Sequence, residues 1–494
     1  MGRQRRTNGG SGVGRRDFLK MGVASAAFAG MSGIAGSGTA VAASRSSLRA
    51  SARLGAKGVL PGLVQAGPEL ALPPGFTYKT FGSFGSPMSD GFATPPIHDG
   101  MGVFAEPGGG YRIVRNHELG DSNDIPGGSV VGDPVTAWDK GAPGCAVVLV
   151  VDDNANLLEH YVALNGTDSN CSGAETPWGT WLTCEETTAG PGDGWKKPHG
   201  YVFEMDPFAG GPELRRPIKG MGRFVHEAGA VDPETSVVFL TEDNNPDGFY
   251  RYVPDEPGKL AKGGVLQALR IKGQPGYNTV IGQTVGEVLP VDWVKIDDPD
   301  PADAADNPRA ILRQARAKGS ARFMSGEGAT WRGDSVVFDS SDGGDYGRGQ
   351  IWQYTPTIRR GKRNEEGELV LLFESTDKAV LDYPDNLCTS PGGGIVLAED
   401  GDDRQNFVRG LLPDNETMIP IAQNLVDVRR QLIDVSGKLY DPYLPDDDFG
   451  PGDGLGRSEF AGPRFSPDGQ WLFVNIQVPG ITCAITGDWG SIGL

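Results

Sequence analysis

Cysteine and histidine are scarce, with five of each in 494 residues. No two of the cysteines (Cys145, Cys171, Cys184, Cys388 and Cys483) stand at C-x-x-C spacing, which excludes a structural zinc ribbon. In an oxidising compartment two disulfides would use four of them and leave one over, and the sequence does not set the pairing. A GxSxG elbow, an HExxH helix and a phosphate-binding P-loop are missing too, which argues against a serine hydrolase, a zinc peptidase and a P-loop nucleotidase. Positive charge is in deficit: the formal net charge is −19, and so acidic a chain is unsuited to nucleic acid. Past the N-terminal segment no run approaches the roughly 18 apolar residues of a membrane span, so no stable membrane insertion is expected.

What is abundant is glycine and proline, 75 and 37 residues. Both break helices and strand interiors and favour turns, which points to many short strands rather than a helical bundle. With 9 Trp, 20 Phe and 12 Tyr to bury, the chain is composed to fold. Residues 1–43 are set apart by six basic residues and one acid. Arg15-Arg16 opens a twin-arginine pattern, a mild apolar stretch runs from Met21 to Ala35, and Ala40-Val41-Ala42 has the small-x-small form of a cleavage site. These are the parts of an export signal in order. The expectation is a signal peptide over 1–43, a flexible linker over 44–70 and one domain over 71–494. The export partner would be the twin-arginine machinery, and the destination periplasmic or extracellular. A monomer is expected.

A pattern recurs six times along the domain. Apolar runs that turn polar or acidic at their C-terminal ends begin at Tyr111, Thr180, Val237, Val336, Ile395 and Trp471. Their β-branched and aromatic content, bounded by Gly, Asp and Asn, reads as strands. Three are followed by a Gly-led alternating run closed by Pro, beginning at Gly200, Gly248 and Gly349. Each is preceded by a short polar unit: His98-Asp99-Gly100, Cys171-Ser172-Gly173, His226-Glu227-Ala228, Gly326-Glu327-Gly328, Asp385-Asn386-Leu387 and Glu459-Phe460-Ala461. Six small sheets bury their faces by packing radially, so an all-β fold is expected, a six-bladed β-propeller with long loop insertions. One insertion runs from about Pro254 to Gly319 with a helical piece at Pro308–Lys318, and another from about Arg404 to Arg457. The extended start, Leu72–Phe81, is expected to close the ring on the last blade.

Inner strands of a propeller line a channel, and the repeat puts Asp99, Glu227, Glu327, Asp385 and Glu459 at matching positions. Five converging carboxylates do not all stay ionised without compensation. Cations supply it, and oxygen donors favour calcium or ferric iron. The competing reading is that each acid bonds to backbone amides and fixes blade register. His98, His117 and His226 each adjoin an acid; in a strand neighbours face opposite ways, so these imidazoles are expected between blades.

The stretches Met88–Gly91, His98–Met101, Arg115–Glu118, Thr176–Glu186, Lys197–Phe203, Asp385–Leu387 and Asn475–Gly480 resemble the PhoX-type alkaline phosphatases, a family of exported propeller enzymes, over about residues 70–490. The resemblance implies hydrolysis of small-molecule phosphate monoesters at a site of iron and calcium. It implies Cys184 as the iron thiolate, Glu227, Glu327, Asp385 and Glu459 as carboxylate ligands, and Glu118 and Glu185 as further ligands at the rim. It also implies an Arg two residues before Glu327, where this chain has Ser325. Ser325 offers one uncharged hydrogen bond in place of a bidentate cation, leaving Arg115, Arg322 or Lys196 to meet a phosphate. A calcium-dependent propeller hydrolase of another class, such as a lactonase, and a metal-stabilised binding scaffold are the alternatives.

Overall fold

The computed structural model describes residues 59–494 apart from 61, 121–129, 213–214, 360–361, 402–405 and 427–457. The signal over 1–43, the first part of the linker and most of the second insertion lie outside the described residues. The described part is all-β, with one α-helix, Ala310–Ala317, inside the stretch expected to be helical. The strands form five antiparallel sheets in a propeller-like arrangement.

The first sheet orders His98–Ala105, Tyr111–His117, Gly144–Val151 and Leu157–Thr167; the second Asn170–Glu175, Trp181–Glu185 and Val202–Met205. Another runs from Pro384–Thr389 through Ile395–Glu399, Phe407–Leu411 and Met418–Asn424 to Leu70–Leu72 and Val64–Gln65. The last orders Phe460–Phe465, Leu472–Ile476, Ile481–Thr486 and Thr77–Phe81. The remaining sheet has nine strands and runs from His226–Val231 to Ala329–Arg332. The expectation of six separate sheets is therefore corrected. Val288–Lys295, inside the first insertion, pairs with Lys362–Glu374 (Val288 opposite Val370, Val291 opposite Gly367) and joins what would be two units into one. Backbone groups at a sheet edge pair with whatever strand reaches them, and the insertion supplies one.

Two further details differ from, or bear out, the sequence reading. Part of the segment read as linker is strand: Val64–Gln65 pairs with Leu70–Leu72, which pairs with Met418–Asn424. The extended start does join the last sheet, with Phe81 opposite Thr482 and Thr77 opposite Thr486.

The short polar units stand at the beginnings of inner strands or, for Gly326-Glu327-Gly328, just before one, and hydrogen bonds from these strands and their neighbours tie each sheet to the next around a closed ring. Asn116 Nδ2 donates to the Cys171 carbonyl at 3.2 Å, the Cys171 thiol to the His226 carbonyl at 3.2 Å, and Thr241 Oγ1 to the Glu327 carbonyl. Gly328 N donates to the Asp385 carbonyl at 3.1 Å, Gly462 N to Asn386 Oδ1 at 2.6 Å, and Asn475 Nδ2 to the Asp99 carbonyl at 2.6 Å. Neighbouring strands approach so closely that small residues are required. A Cβ on Gly100 would sit 2.5 Å from Ser172 Cα, and one on Gly328 2.5 Å from the Asp385 carbonyl oxygen. The cores lie between sheets: Trp181, Tyr201 and Phe203 fill one interface, and Phe239, Phe249, Phe338 and Trp352 another.

Candidate metal centre and active site

A β-bulge interrupts the pairing near the start of the inner strand at the same place in five units. The register shifts between His98 and Met101, Asn170 and Gly173, His226 and Gly229, Pro384 and Leu387, and Ala461 and Arg464. A bulge leaves a residue unpaired and re-aims its side chain. Asp99, Cys171, Glu227 and Asp385 stand within these bulges, and Glu459 just before the last.

Two groups of donors result. Cys171, Glu186 and Glu227 each bring one ligand atom within 4.8 Å of the others, and so do Glu227, Glu327 and Asp385. Glu227 belongs to both. Asn386 orients the second group, its Nδ2 donating to Glu227 Oε1 at 3.0 Å and Asp385 Oδ1 at 2.8 Å. Gln477 does the same beside them, donating to Glu118 Oε2 at 3.0 Å and Asp99 Oδ2 at 3.4 Å.

The electrostatics are those of crowded anions. Burial first, then Glu118, Glu227 and Asp385, push the Asp99 carboxyl well above its usual range. Burial and then Glu118, Asp243, Glu227 and Glu327 raise Glu186. Burial and Asp385 raise Glu227, and burial, Asp400 and Asp385 raise Glu459. The Cys171 thiol is pushed up by burial, Glu227 and Glu186. Such a mouth holds protons unless it holds cations; a bound cation reverses the balance and favours carboxylate and thiolate. The donor set therefore fits metal: the oxygens suit a hard cation, and the thiol suits iron rather than calcium.

The structure brings Glu227, Glu327 and Asp385 together as expected, and sets Glu459 and Glu118 within the same field of acids. Two expected ligands lie elsewhere. Cys184 packs in the same core cluster as Cys171, its thiol pushed up by burial and then by Glu227 and Glu185, but the thiol brought within 4.8 Å of two carboxylates, Glu186 and Glu227, is Cys171. Glu185 is spent on its own sheet. Its oxygens accept from His199 Nδ1 at 2.6 Å, Asp168 N at 3.0 Å, Gly200 N at 2.9 Å and Tyr201 N at 3.1 Å.

Two other sheets repeat this clip at the end of the second strand. Glu242 accepts from Tyr250 Oη at 2.6 Å and Gly248 N at 3.3 Å. Glu399 accepts from Arg409 Nε at 2.8 Å and Phe407 N at 3.2 Å. Burial lifts both carboxyls to about 7. The next residue in each case, Glu186, Asp243 or Asp400, enters the acidic mouth. Asp243 pushes on Glu186 and Glu227, and Asp400 on Glu459. Glu186 and Cys171 were legible in the register: one follows the strand-end acid, and the other occupies the slot of Asp99 and Glu227.

Of the four side chains expected near a phosphate, Lys196 belongs to a loop, its amide donating to Asp139 Oδ2 at 2.6 Å, and the other three are placed differently from one another. Arg115 is fully buried; it donates to the Gly82 carbonyl at 2.9 Å, Thr482 Oγ1 at 2.8 Å and His117 Nε2 at 3.3 Å, and burial lowers its pKa to about 9. It joins the first sheet to the last. Arg322 lies beside Arg316, whose pKa it helps to lower after burial, and its backbone bridges to Asn278. Ser325 is two residues from Glu327, in a left-handed conformation at φ 48°, with Oγ donating to Asp342 Oδ2 at 2.9 Å. The imidazoles beside the acids pack inside as expected: His226 stacks on Phe224 at 3.6 Å between centroids, and His98 and His117 meet edge to face at 4.9 Å.

All five cysteines are buried and unpaired, so the two disulfides open to the sequence are not formed. Among the described residues no helix is long and apolar enough to cross a membrane.

A closed propeller-like ring whose bulged strand ends gather a thiol and many carboxylates defines a protein with an anionic mouth suited to cations. Its overall shape matches the solved structure of Pseudomonas fluorescens PhoX in complex with vanadate, a transition-state analogue. The TM-score is 0.61 at 17% identity, covering 87% of this chain and 98% of that one. At that identity the likeness establishes the fold. The sequence matches the family model of alkaline phosphatase PhoX over residues 60–480: the chain belongs to the PhoX alkaline phosphatase family, and is a phosphatase. A gluconolactonase from Xanthomonas campestris (11% identity, TM-score 0.35, covering 80% and 96%) and a PQQ-bound aldose sugar dehydrogenase from Streptomyces coelicolor (13%, 0.30, covering 72% and 100%) are far more distant, and at such scores the likeness says nothing of function. No curated protein matches the sequence.

Proposed function

We propose that this is an exported, metal-dependent phosphatase that hydrolyses small phosphate monoesters at an iron and calcium site in the mouth of the channel. The ring is read as six blades, two of them sewn together in the nine-stranded sheet. The observation that carries the reading is the pair of donor groups sharing Glu227, one with a thiol and one with oxygens alone. Cys171, Glu186 and Glu227 would hold iron; Glu227, Glu327 and Asp385 would hold calcium, with Glu459, Glu118 and Asp99 beside them. When bound, the cations neutralise phosphoryl oxygens and favour an in-line displacement.

The chain's own residues do the rest. Asn386 and Gln477 hold the carboxylates in place, and Ser325, anchored on Asp342, holds the position from which the family's Arg would meet a phosphate. The bulged strand ends keep the donors fixed, so little reorganisation is needed as charge shifts during the reaction. Elemental analysis of the purified protein, with assay on a simple phosphate monoester, tests the reading. Iron plus calcium and turnover are the expected result; calcium alone would move the protein toward another class of propeller hydrolase.

Export is the second part of the proposal, and rests on Arg15-Arg16 and the Ala40-Val41-Ala42 site. Replacing both arginines with lysine is expected to leave full-length precursor in the cytoplasm, seen by fractionation and immunoblot. Unchanged export of that variant would refute the assignment.

A further inference from the structure

His199 is fully buried between two carboxylates. Its Nδ1 donates to Glu185 Oε1 at 2.6 Å, and its Nε2 lies 3.6 Å from Asp139 Oδ2. Each carboxylate is anchored in turn by backbone. Asp139 accepts from Gly141 N at 2.7 Å, Lys196 N at 2.6 Å and Lys197 N at 2.7 Å, and Glu185 from the three amides named above. His199 is itself tethered, its carbonyl accepting from Arg223 Nε at 2.8 Å and its amide donating to the Ala189 carbonyl at 2.9 Å. The line Asp139–His199–Glu185 thus runs from two surface loops, through the interior, to the end of the strand Trp181–Glu185.

The next residue is Glu186. Its amide donates to the Ser169 carbonyl at 2.9 Å, and its carboxylate meets Cys171 and Glu227. Whatever fixes Glu185 fixes the backbone from which Glu186 reaches the mouth. Three of the four donors to Glu185 are backbone amides of the segments flanking the strands, Asp168, Gly200 and Tyr201; the fourth, His199, is a side chain.

We propose that His199, braced by Asp139, is a positioning residue for the metal centre: it locks Glu185 and thereby aims Glu186 at Cys171 and Glu227. The inference rests on the reading that this cluster holds a cation. Groups behind metal ligands act by orienting them, and removing one costs about 10–100-fold in metal affinity.

The test is metal retention by the purified, metal-loaded protein during titration with a chelator, read by elemental analysis, with melting temperature followed in parallel. His199→Ala is expected to release metal at about 10–100-fold lower chelator concentration than the unmodified protein, and added metal should restore its turnover. His199→Asn keeps a donor near the Nδ1 position and should recover part of the retention. Asp139→Asn, which removes the brace and leaves the imidazole, should shift retention the same way by less. These two variants carry the test where His199→Ala does not fold. A lower melting temperature with an unchanged chelator profile in all three would overturn the inference and leave His199 a purely structural residue. Glu227→Ala is the control: if it too keeps its metal, the site reading fails; if it loses metal while the His199 variants keep theirs, only the positioning role fails.

Discussion

Glu227→Ala is expected to abolish metal binding and phosphatase activity together while the fold survives. Glu227 is the one residue in both donor groups, so its loss opens both at once. It is 2% exposed and is pushed upward by burial and then by Asp385. Truncating it removes a buried carboxyl that the metal-free protein must either protonate or hold against the charge of Asp385. The melting temperature of the metal-free form should therefore hold or rise, while the metal-loaded form loses its advantage. Glu327→Ala opens only the second group and Glu459→Ala neither, so their losses should be smaller. Elemental analysis and thermal unfolding with and without chelator check this. Full metal content in Glu227→Ala would show the proposed centre to be misplaced.

The second large effect separates the two thiols. Cys171→Ser is expected to lose iron, because a hydroxyl does not replace a thiolate as a soft donor, and turnover should fall with the metal. Cys184→Ala removes one buried sulfur from a packed core. Its cost belongs to the range of large-to-small core changes, about 1–3 kcal/mol, paid in melting temperature with metal content kept. If the outcomes were exchanged, with Cys184→Ala losing iron and Cys171→Ser keeping it, the ligand would be the one the family resemblance pointed to rather than the one the geometry gathers.

These two cysteines also show how far the sequence could be read. The repeat of short polar units placed Asp99, Glu227 and Asp385 in register because a bulge recurs at one place in the strands, and a recurring backbone feature leaves a recurring composition; Glu459, expected at the same position, stands two residues before Ala461, where the bulge of its own strand begins. Cys171 stands in that register as plainly as the acids do; the resemblance of Thr176–Glu186 to a family block implies Cys184 instead. Glu185 and Glu186 could not be told apart by composition. Their roles divide because one faces backbone amides and His199, and the other faces the mouth; strand alternation permits that split without saying which is which. The merging of two units was hidden for another reason. It depends on an insertion strand, Val288–Lys295, whose alternation is weak and whose partner residues lie 76 to 82 positions on in sequence, and long-range pairing leaves little local trace. Arg115 looked available because it stands beside a His-Glu pair, but its place between two sheets comes from tertiary packing alone.

The closure of the ring sets a timetable. Thr77–Phe81 waits for Ile481–Thr486, and Asp99 is tied to Asn475, so the first sheet and the last are joined by segments made at opposite ends of synthesis. A nascent chain still on the ribosome has its early donors, Asp99, Cys171 and Glu186, long before Glu459 emerges. The ring is closed only once Ile481–Thr486 pairs with Thr77–Phe81. A chain truncated before Ile481 is therefore expected to be an open crescent with its first and last sheets unjoined.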